Sequence, residues 1–226
     1  MCDATFICRS GDGFPLVESW DDSIKSRYGG KSTNEIKITA RIICRNLDVS
    51  NKKCSVYEGD LTYHYFVDGG ICYMTVCLTS YPKKMAFVYL GELSNAFKEE
   101  IRIHFGTTGV DYQSAIETMD RPYAFIKFDR MIHKIKQNFQ DPTSVKALNK
   151  INENLTQVTD IMKKNITDII NRGETLQDMG RTARGLVEES MKFERESKLL
   201  NAKGMERFIV TGLTLVLIYI TLRILF

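Results

Sequence analysis

The residues best able to ligate a metal or act as nucleophiles are six cysteines, at 2, 8, 44, 54, 72 and 77, and three histidines, at 64, 104 and 133. None of the cysteines forms a C-x-x-C pair, so their spacing does not read as a zinc site. Several fall among apolar residues, as in Ile71-Cys72-Tyr73 and Val76-Cys77-Leu78. They read as buried thiols acting as small hydrophobes in a reducing compartment. His64 alternates with aromatics and reads as a structural residue in a strand. Gly29-Gly30-Lys31-Ser32-Thr33 is similar to a phosphate-binding loop. That motif needs a glycine five residues before its last one, and Lys25 stands there, so the stretch reads as a polar loop. No Ser-His-Asp or paired-carboxylate pattern emerges from spacing. Two glycosylation sequons begin at Asn154 and Asn165, both on a segment expected to face the cytosol, where they would go unused.

One arginine stands apart. Between residues 148 and 200, apolar or small residues recur at alternating steps of three and four. They are Leu148, Ile151, Leu155, Val158, Met162, Asn165, Ile169, Arg172, Leu176, Met179, Ala183, Leu186, Ser190, Phe193, Ser197 and Leu200. A sustained 3.5-residue repeat predicts a long helix that needs partner helices to cover its stripe. Arg172 occupies a core position between Ile169 and Leu176. A guanidinium has five donors and no acceptor, so burying it requires acceptors from facing helices. The pattern alone serves equally an arginine that snorkels out of a two-stranded coil. Gly173, Gly180 and Gly185 each weaken the helix by about 1 kcal/mol relative to Ala, which predicts that it orders on binding.

The elements that must position this stripe lie on either side. Residues 208–226 are apolar on all faces and would form a helix about 28 Å long, close to the thickness of a bilayer core. Arg223, near the far end, can snorkel to the headgroups. Basic residues at the near end favour a cytosolic position for everything upstream. The N-terminus has no signal peptide pattern, so the expected anchor is this tail, inserted after translation. The net charge of +3 is too small for a dedicated nucleic-acid binder.

Residues 1 to about 130 have mixed periodicity. Residues 5–8 and 14–17 flank Ser10-Gly11-Asp12-Gly13, which predicts a hairpin. Residues 34–48 carry Ile36, Ala40, Ile43, Cys44 and Leu47 at helical spacing. Strands are expected at 54–58, 61–67 and 71–79, with a tight turn at Asp68-Gly69-Gly70. Helices are expected at 83–105 and 122–139, the second with Phe125, Phe128, Ile132, Ile135 and Phe139 on one face. The order predicts an α+β domain, an antiparallel sheet covered by helices.

The run Ile-Met-Lys-Lys-Asn-Ile-Thr-Asp-Ile-Ile-Asn-Arg-Gly-Glu-Thr-Leu at 161–176 resembles the centre of an R-SNARE motif. The resemblance implies that Arg172 is the zero-layer arginine, met by three glutamines from Q-SNARE helices. The element order resembles the longin domain. Tyr-Pro-Lys-Lys-Met-Ala-Phe-Val-Tyr-Leu at 81–90 and Arg-Pro-Tyr-Ala-Phe-Ile-Lys-Phe-Asp at 121–129 look specifically like the longin R-SNARE family of ER–Golgi transport. They argue against the endosomal type. Leu61-Thr62-Tyr63-His64-Tyr65 and Gly70-Ile71-Cys72-Tyr73 fit the same family, while residues 21–33 and 106–118 fit less well, the latter reading as a variable surface loop.

That resemblance implies a profilin-like longin domain at 1–130 with a five-stranded antiparallel sheet and three helices. A linker at 131–144, an R-SNARE coiled coil at 145–205 and a transmembrane anchor at 207–226 would follow. It implies no catalysis and no cofactor. The implied activity is pairing with Q-SNAREs in a four-helix bundle that zips from Leu148 toward Leu200 and fuses vesicle with target. The implied location is the ER membrane, the Golgi membrane and transport vesicles, single-pass with a cytosolic N-terminus. In this family the longin domain can fold back on its own SNARE segment, here Asn165, Ile166 and Thr167, giving a closed form recognised by a vesicle coat of the COPII type. The family usually has an acidic residue where this chain has Thr167. By pattern alone the rivals are a tail-anchored coiled-coil tether, for which Arg172 is dispensable, and a membrane-anchored enzyme with its site in residues 1–130.

Overall fold

The computed structural model describes residues 2–21, 32–48, 51–106, 111–140 and 161–170. Alternation of side chains builds the first elements. Strand β1 (Cys2–Arg9) turns through Gly13 into β2 (Pro15–Trp20), and the two pair antiparallel. Gly13 has φ 71°, and a Cβ there would come 3.0 Å from the backbone of Cys44, so the turn requires glycine both for its conformation and for space. Ser32 opens helix α1 (Thr33–Arg45) with a capping box. Its hydroxyl accepts from the Glu35 amide at 3.2 Å, and the Glu35 carboxylate accepts from the Ser32 amide at 2.9 Å. The end of the glycine-lysine-serine run is thus a helix cap.

Strands β3 (Lys53–Glu58), β4 (Leu61–Asp68) and β5 (Ile71–Leu78) follow as a meander, within a residue or two of the sequence expectation. Helix α2 runs Lys83–Phe105 and ends at Gly106, φ 85°. Residues 106–118, expected as a surface loop, contain a short helix, α3 (Tyr112–Glu117), capped by Asp111. The expected helix at 122–139 begins instead as turns and a 3₁₀ turn (Ile126–Phe128). Only Asp129–Gln137 is α-helical, as α4. Tyr123, at φ 56°, breaks the helical path there.

The sheet has six strands, not five, in the order β2-β1-β5-β4-β3-β6, and it is mixed. Strand β6 (Met162–Asn165) pairs parallel to β3, and a short helix, α5 (Ile166–Ile170), follows it. The fifth strand expected at residues 1–130 is present. The sixth comes from the segment expected to be continuous helix.

Two apolar layers enclose the sheet. On one face, Cys72, Met74 and Val76 of β5 join Ala4, Phe6 and Cys8 of β1 beneath Ile36, Ala40 and Ile43 of α1. On the other, Ile71, Tyr73 and Cys77 meet Met85, Tyr89, Leu93 and Phe97 of α2. A register shift between Cys2 and Ala4 reverses the parity of β1, which is why Cys2 lies with the second layer, opposite Cys77. Ile132, Ile135 and Phe139 are also core residues there. The packed unit therefore runs to Phe139, beyond the boundary expected at 130, and takes in much of the expected linker. Each outer strand of the sheet formed by β1 to β5 is covered. The Tyr123 and Phe125 amides donate to Pro15 and Leu16 along β2 at 3.0 and 3.3 Å, and β6 covers β3.

Candidate functional site: the seat of residues 161–170

Strand β3 offers one unpaired edge to solvent when β1 to β5 are assembled, and that edge is a template for another strand. Residues 162–165 occupy it. Met162 aligns with Cys54, Lys163 with Ser55, Lys164 with Val56 and Asn165 with Tyr57. The Lys164 ammonium reaches the Asp48 carboxylate at 2.7 Å, a pair mostly shielded from water. Burial pushes the pKa of the Cys54 thiol, in the strand beside β6, up.

Asn165 then ends the strand and starts a helix. Its side-chain oxygen accepts from the Thr167 amide at 3.1 Å and from the Thr167 hydroxyl at 2.8 Å. The Asp168 carboxylate accepts from the Asn165 amide at 3.1 Å. This is a reciprocal cap with asparagine and aspartate in the roles usually taken by serine and glutamate. The carboxylate that the family resemblance expects at 167 is absent, but the next residue supplies one. Ile166 and Ile169, three apart on α5, turn inward and are 8% and 4% exposed. They enter the apolar layer beneath α1, with Ile170 against its rim.

Of the stripe singled out in the sequence, the described residues include Met162, Asn165 and Ile169. Met162 and Asn165 are exposed in extended backbone, and Ile169 is buried against the N-terminal domain. Leu148, Ile151, Leu155, Val158, Arg172, Leu176, Met179, Ala183, Leu186, Ser190, Phe193, Ser197 and Leu200 lie outside the described residues, as does the tail at 207–226. Among the described residues no helix is long and apolar enough to cross a membrane.

Two groupings escaped the spacing of the sequence. Glu18 of β2 sits between Lys37 and Arg41 of α1, at 3.3 and 2.9 Å, and accepts from the Tyr123 hydroxyl at 3.1 Å; Arg41 also donates to that hydroxyl. All of these side chains are buried. The i, i+4 spacing of Lys37 and Arg41 within an otherwise apolar face was the available signal. Cys8, Cys44 and Cys72 also meet, from β1, α1 and β5. The spacings between them are 36 and 28 residues (44 − 8 and 72 − 44), which no motif encodes.

Two of the three histidines have structural partners. His64, 2% exposed, shares a hydrogen bond with the Ser55 hydroxyl at 2.8 Å and packs edge-on to Phe87. Burial, with a smaller effect from Lys83, brings its pKa down to about 4, so it is neutral in the folded protein. His133 pairs with the Asp129 carboxylate at 3.2 Å, which raises its pKa.

A longin-type sheet that holds a piece of a coiled-coil stripe defines the class, and comparison with known proteins agrees with it. Residues 25–132 match the family described as Longin, a regulated-SNARE-like domain, and residues 147–225 match the family described as Synaptobrevin. The protein transport protein sec22 of Schizosaccharomyces pombe is 35% identical over 208 residues, 92% of this chain and 90% of that one. The 25.3 kDa vesicle transport protein SEC22-1 of Arabidopsis thaliana is 34% identical, covering 92% and 89%. The vesicle-trafficking protein SEC22b of Xenopus tropicalis is 32% identical, covering 88% and 87%. The chain belongs to the Sec22 family, R-SNAREs of vesicle transport between ER and Golgi.

Proposed function

We propose that this chain is a gated R-SNARE: its stripe zips with three Q-SNARE helices around Arg172, and its longin domain withholds that stripe until it is released. The supporting observation is the conformation of residues 162–165. A four-helix bundle needs Met162 and Asn165 in helix, with Ile169 on the same stripe. Here the first two are in a β-strand and Ile169 is buried elsewhere. One backbone cannot satisfy both arrangements, so closure and zippering compete.

In the open state Arg172 would be met by three glutamine side-chain oxygens, which satisfy its donors and fix register. Leu148 through Leu200 supply the remaining layers. The anchor at 207–226 would cross an ER, Golgi or vesicle membrane once, with the longin domain in the cytosol. Zippering toward Leu200 then draws two bilayers together. The closed face, made by β6 and α5 seated on the domain, presents a composite surface that exists only while the stripe is withheld. A vesicle coat of the COPII type that reads this surface would load the SNARE before it is spent.

The test is assembly of the full chain with ER–Golgi Q-SNARE motifs, scored as a heat- and detergent-resistant complex. Wild type forms a complex with all four helices in equal amount, and Arg172→Ala forms it poorly or with relaxed partner choice. A homodimer indifferent to Arg172 refutes the reading in favour of a tether.

A further inference from the structure

Cys8 and Cys72 are cross-strand partners on β1 and β5, both facing α1. Cys44, one residue from the end of α1, faces them. All three thiols are buried and free, and their sulfurs lie within 4.8 Å of one another. Their frame is fixed. The β1–β5 ladder sets two of them, and the third is held where the Gly13 turn presses on the end of α1 without room for a methyl group. A metal–thiolate bond of about 2.3 Å places three sulfurs about 4 Å apart around a planar three-coordinate ion. The sulfurs would move by less than an ångström to reach that spacing.

We propose that Cys8, Cys44 and Cys72 form a three-thiolate site for copper(I). The donor set decides the ion. Thiolates select soft cations, and three of them with no fourth His, Cys, Asp or Glu donor in the group among the described residues suit monovalent copper better than zinc, which takes four ligands in closed sites. Charge is the second argument. Binding is ligand exchange with no electron transfer: three copper–sulfur bonds form to the protein, the bonds to the donor complex's thiolates break, and the three protein thiol protons pass to those departing thiolates and to solvent, leaving two net negative charges in an apolar layer. Compensating charge is already in place: the Lys37–Glu18–Arg41 group carries one net positive charge. Arg41 lies one turn before Cys44, its side chain is 6% exposed, and its Nε has no hydrogen-bond partner among the described residues. The buried site fills as the end of α1 opens locally, with the copper supplied as a low-molecular-weight thiol complex. Once filled, it ties α1 to the sheet beside the layer that receives Ile166 and Ile169.

The experiment titrates copper(I) into the anaerobic full chain in detergent, against a competing copper(I) chelator, and measures sulfur coordination by X-ray absorption. The expected result is about one copper per chain with three sulfur neighbours and a raised Tm, since a ligand that binds only the native state stabilises it. Cys44→Ser and Cys72→Ser should each lose roughly 100-fold in affinity, since even outer-shell changes cost 10–100-fold. The Cys2→Ser/Cys77→Ser double variant is the control. That pair, with sulfurs 3.6 Å apart on the other face, is a separate thiol contact, and its loss should leave copper binding intact. If Cys44→Ser fails to fold, the coordination number of the wild type still decides. Two sulfur neighbours, loss of copper in the Cys2/Cys77 variant, preference for zinc, or no copper retained against the chelator each overturn the proposal.

Discussion

Replacing Ile166 and Ile169 together by alanine should open the closed form. The two side chains are 8% and 4% exposed, and they are the buried side chains of α5. Truncating a buried isoleucine to alanine costs about 2–5 kcal/mol in a core. These two sit at the edge of the layer, where neighbours can relax, so the low end applies, about 2 kcal/mol each and about 4 kcal/mol together. At 1.4 kcal/mol per factor of ten, the open-to-closed ratio rises by roughly three orders of magnitude. The domain beneath loses little, because its own layer from β1, β5 and α1 is intact. The assay is hydrogen exchange of the amides in 162–165, read beside those in β5. In the double variant the first set should lose protection while β5 keeps it; Ile166→Ala alone, which leaves the stripe residue Ile169 in place, should accelerate assembly with Q-SNARE motifs. Unchanged protection at 162–165 would refute the argument that these two isoleucines hold the segment. Unchanged assembly despite lost protection would refute the competition between closure and zippering.

Other expectations concern the domain itself. Between about pH 6.5 and 4 an unfolded histidine takes up a proton that buried His64 resists, so stability falls as pH drops through that window, by about 3 kcal/mol in all. Denaturant titrations of wild type and His64→Gln should converge as the pH falls, and parallel curves would contradict this. Glu18→Gln removes the carboxylate shared by Lys37 and Arg41, and should cost about 3–5 kcal/mol. An unchanged midpoint in urea would count against a buried network. Gly13→Ala meets both an unfavourable φ and the backbone of Cys44 at 3.0 Å, and should lower the Tm of the domain by several degrees.

The elements legible in sequence were those whose pattern is local. The β3–β5 meander could be read almost to the residue because apolar alternation is bounded by Gly59 and by Asp68-Gly69-Gly70, where all three glycines have positive φ. Helix α1 was legible from its apolar spacing. What sequence hid was tertiary. Residues 161–170 carry a helical repeat, yet the open edge of β3 and the apolar layer beneath α1 draw them into a strand and a one-turn helix. On the proposed function the repeat serves the partner-bound state and the edge the closed one, so one segment would hold two instructions. The identity of Asn165, Ile166 and Thr167 as a fold-back segment came from family resemblance, not from periodicity. The thiol group was hidden because its members come from three elements far apart in the chain, and the aromatic-rich stretch at 122–128 read as helix because Phe125 and Phe128 keep helical spacing through a 3₁₀ turn.

The central claim is that the chain drives fusion and does not merely dock membranes. It is tested most directly by content mixing between liposomes carrying the full chain and liposomes carrying three ER–Golgi Q-SNAREs. The account predicts mixing that needs both populations, quickens with Ile166→Ala and fails when the Q-SNAREs are omitted. Liposomes that cluster without mixing their contents, equally for wild type and Arg172→Ala, would contradict it.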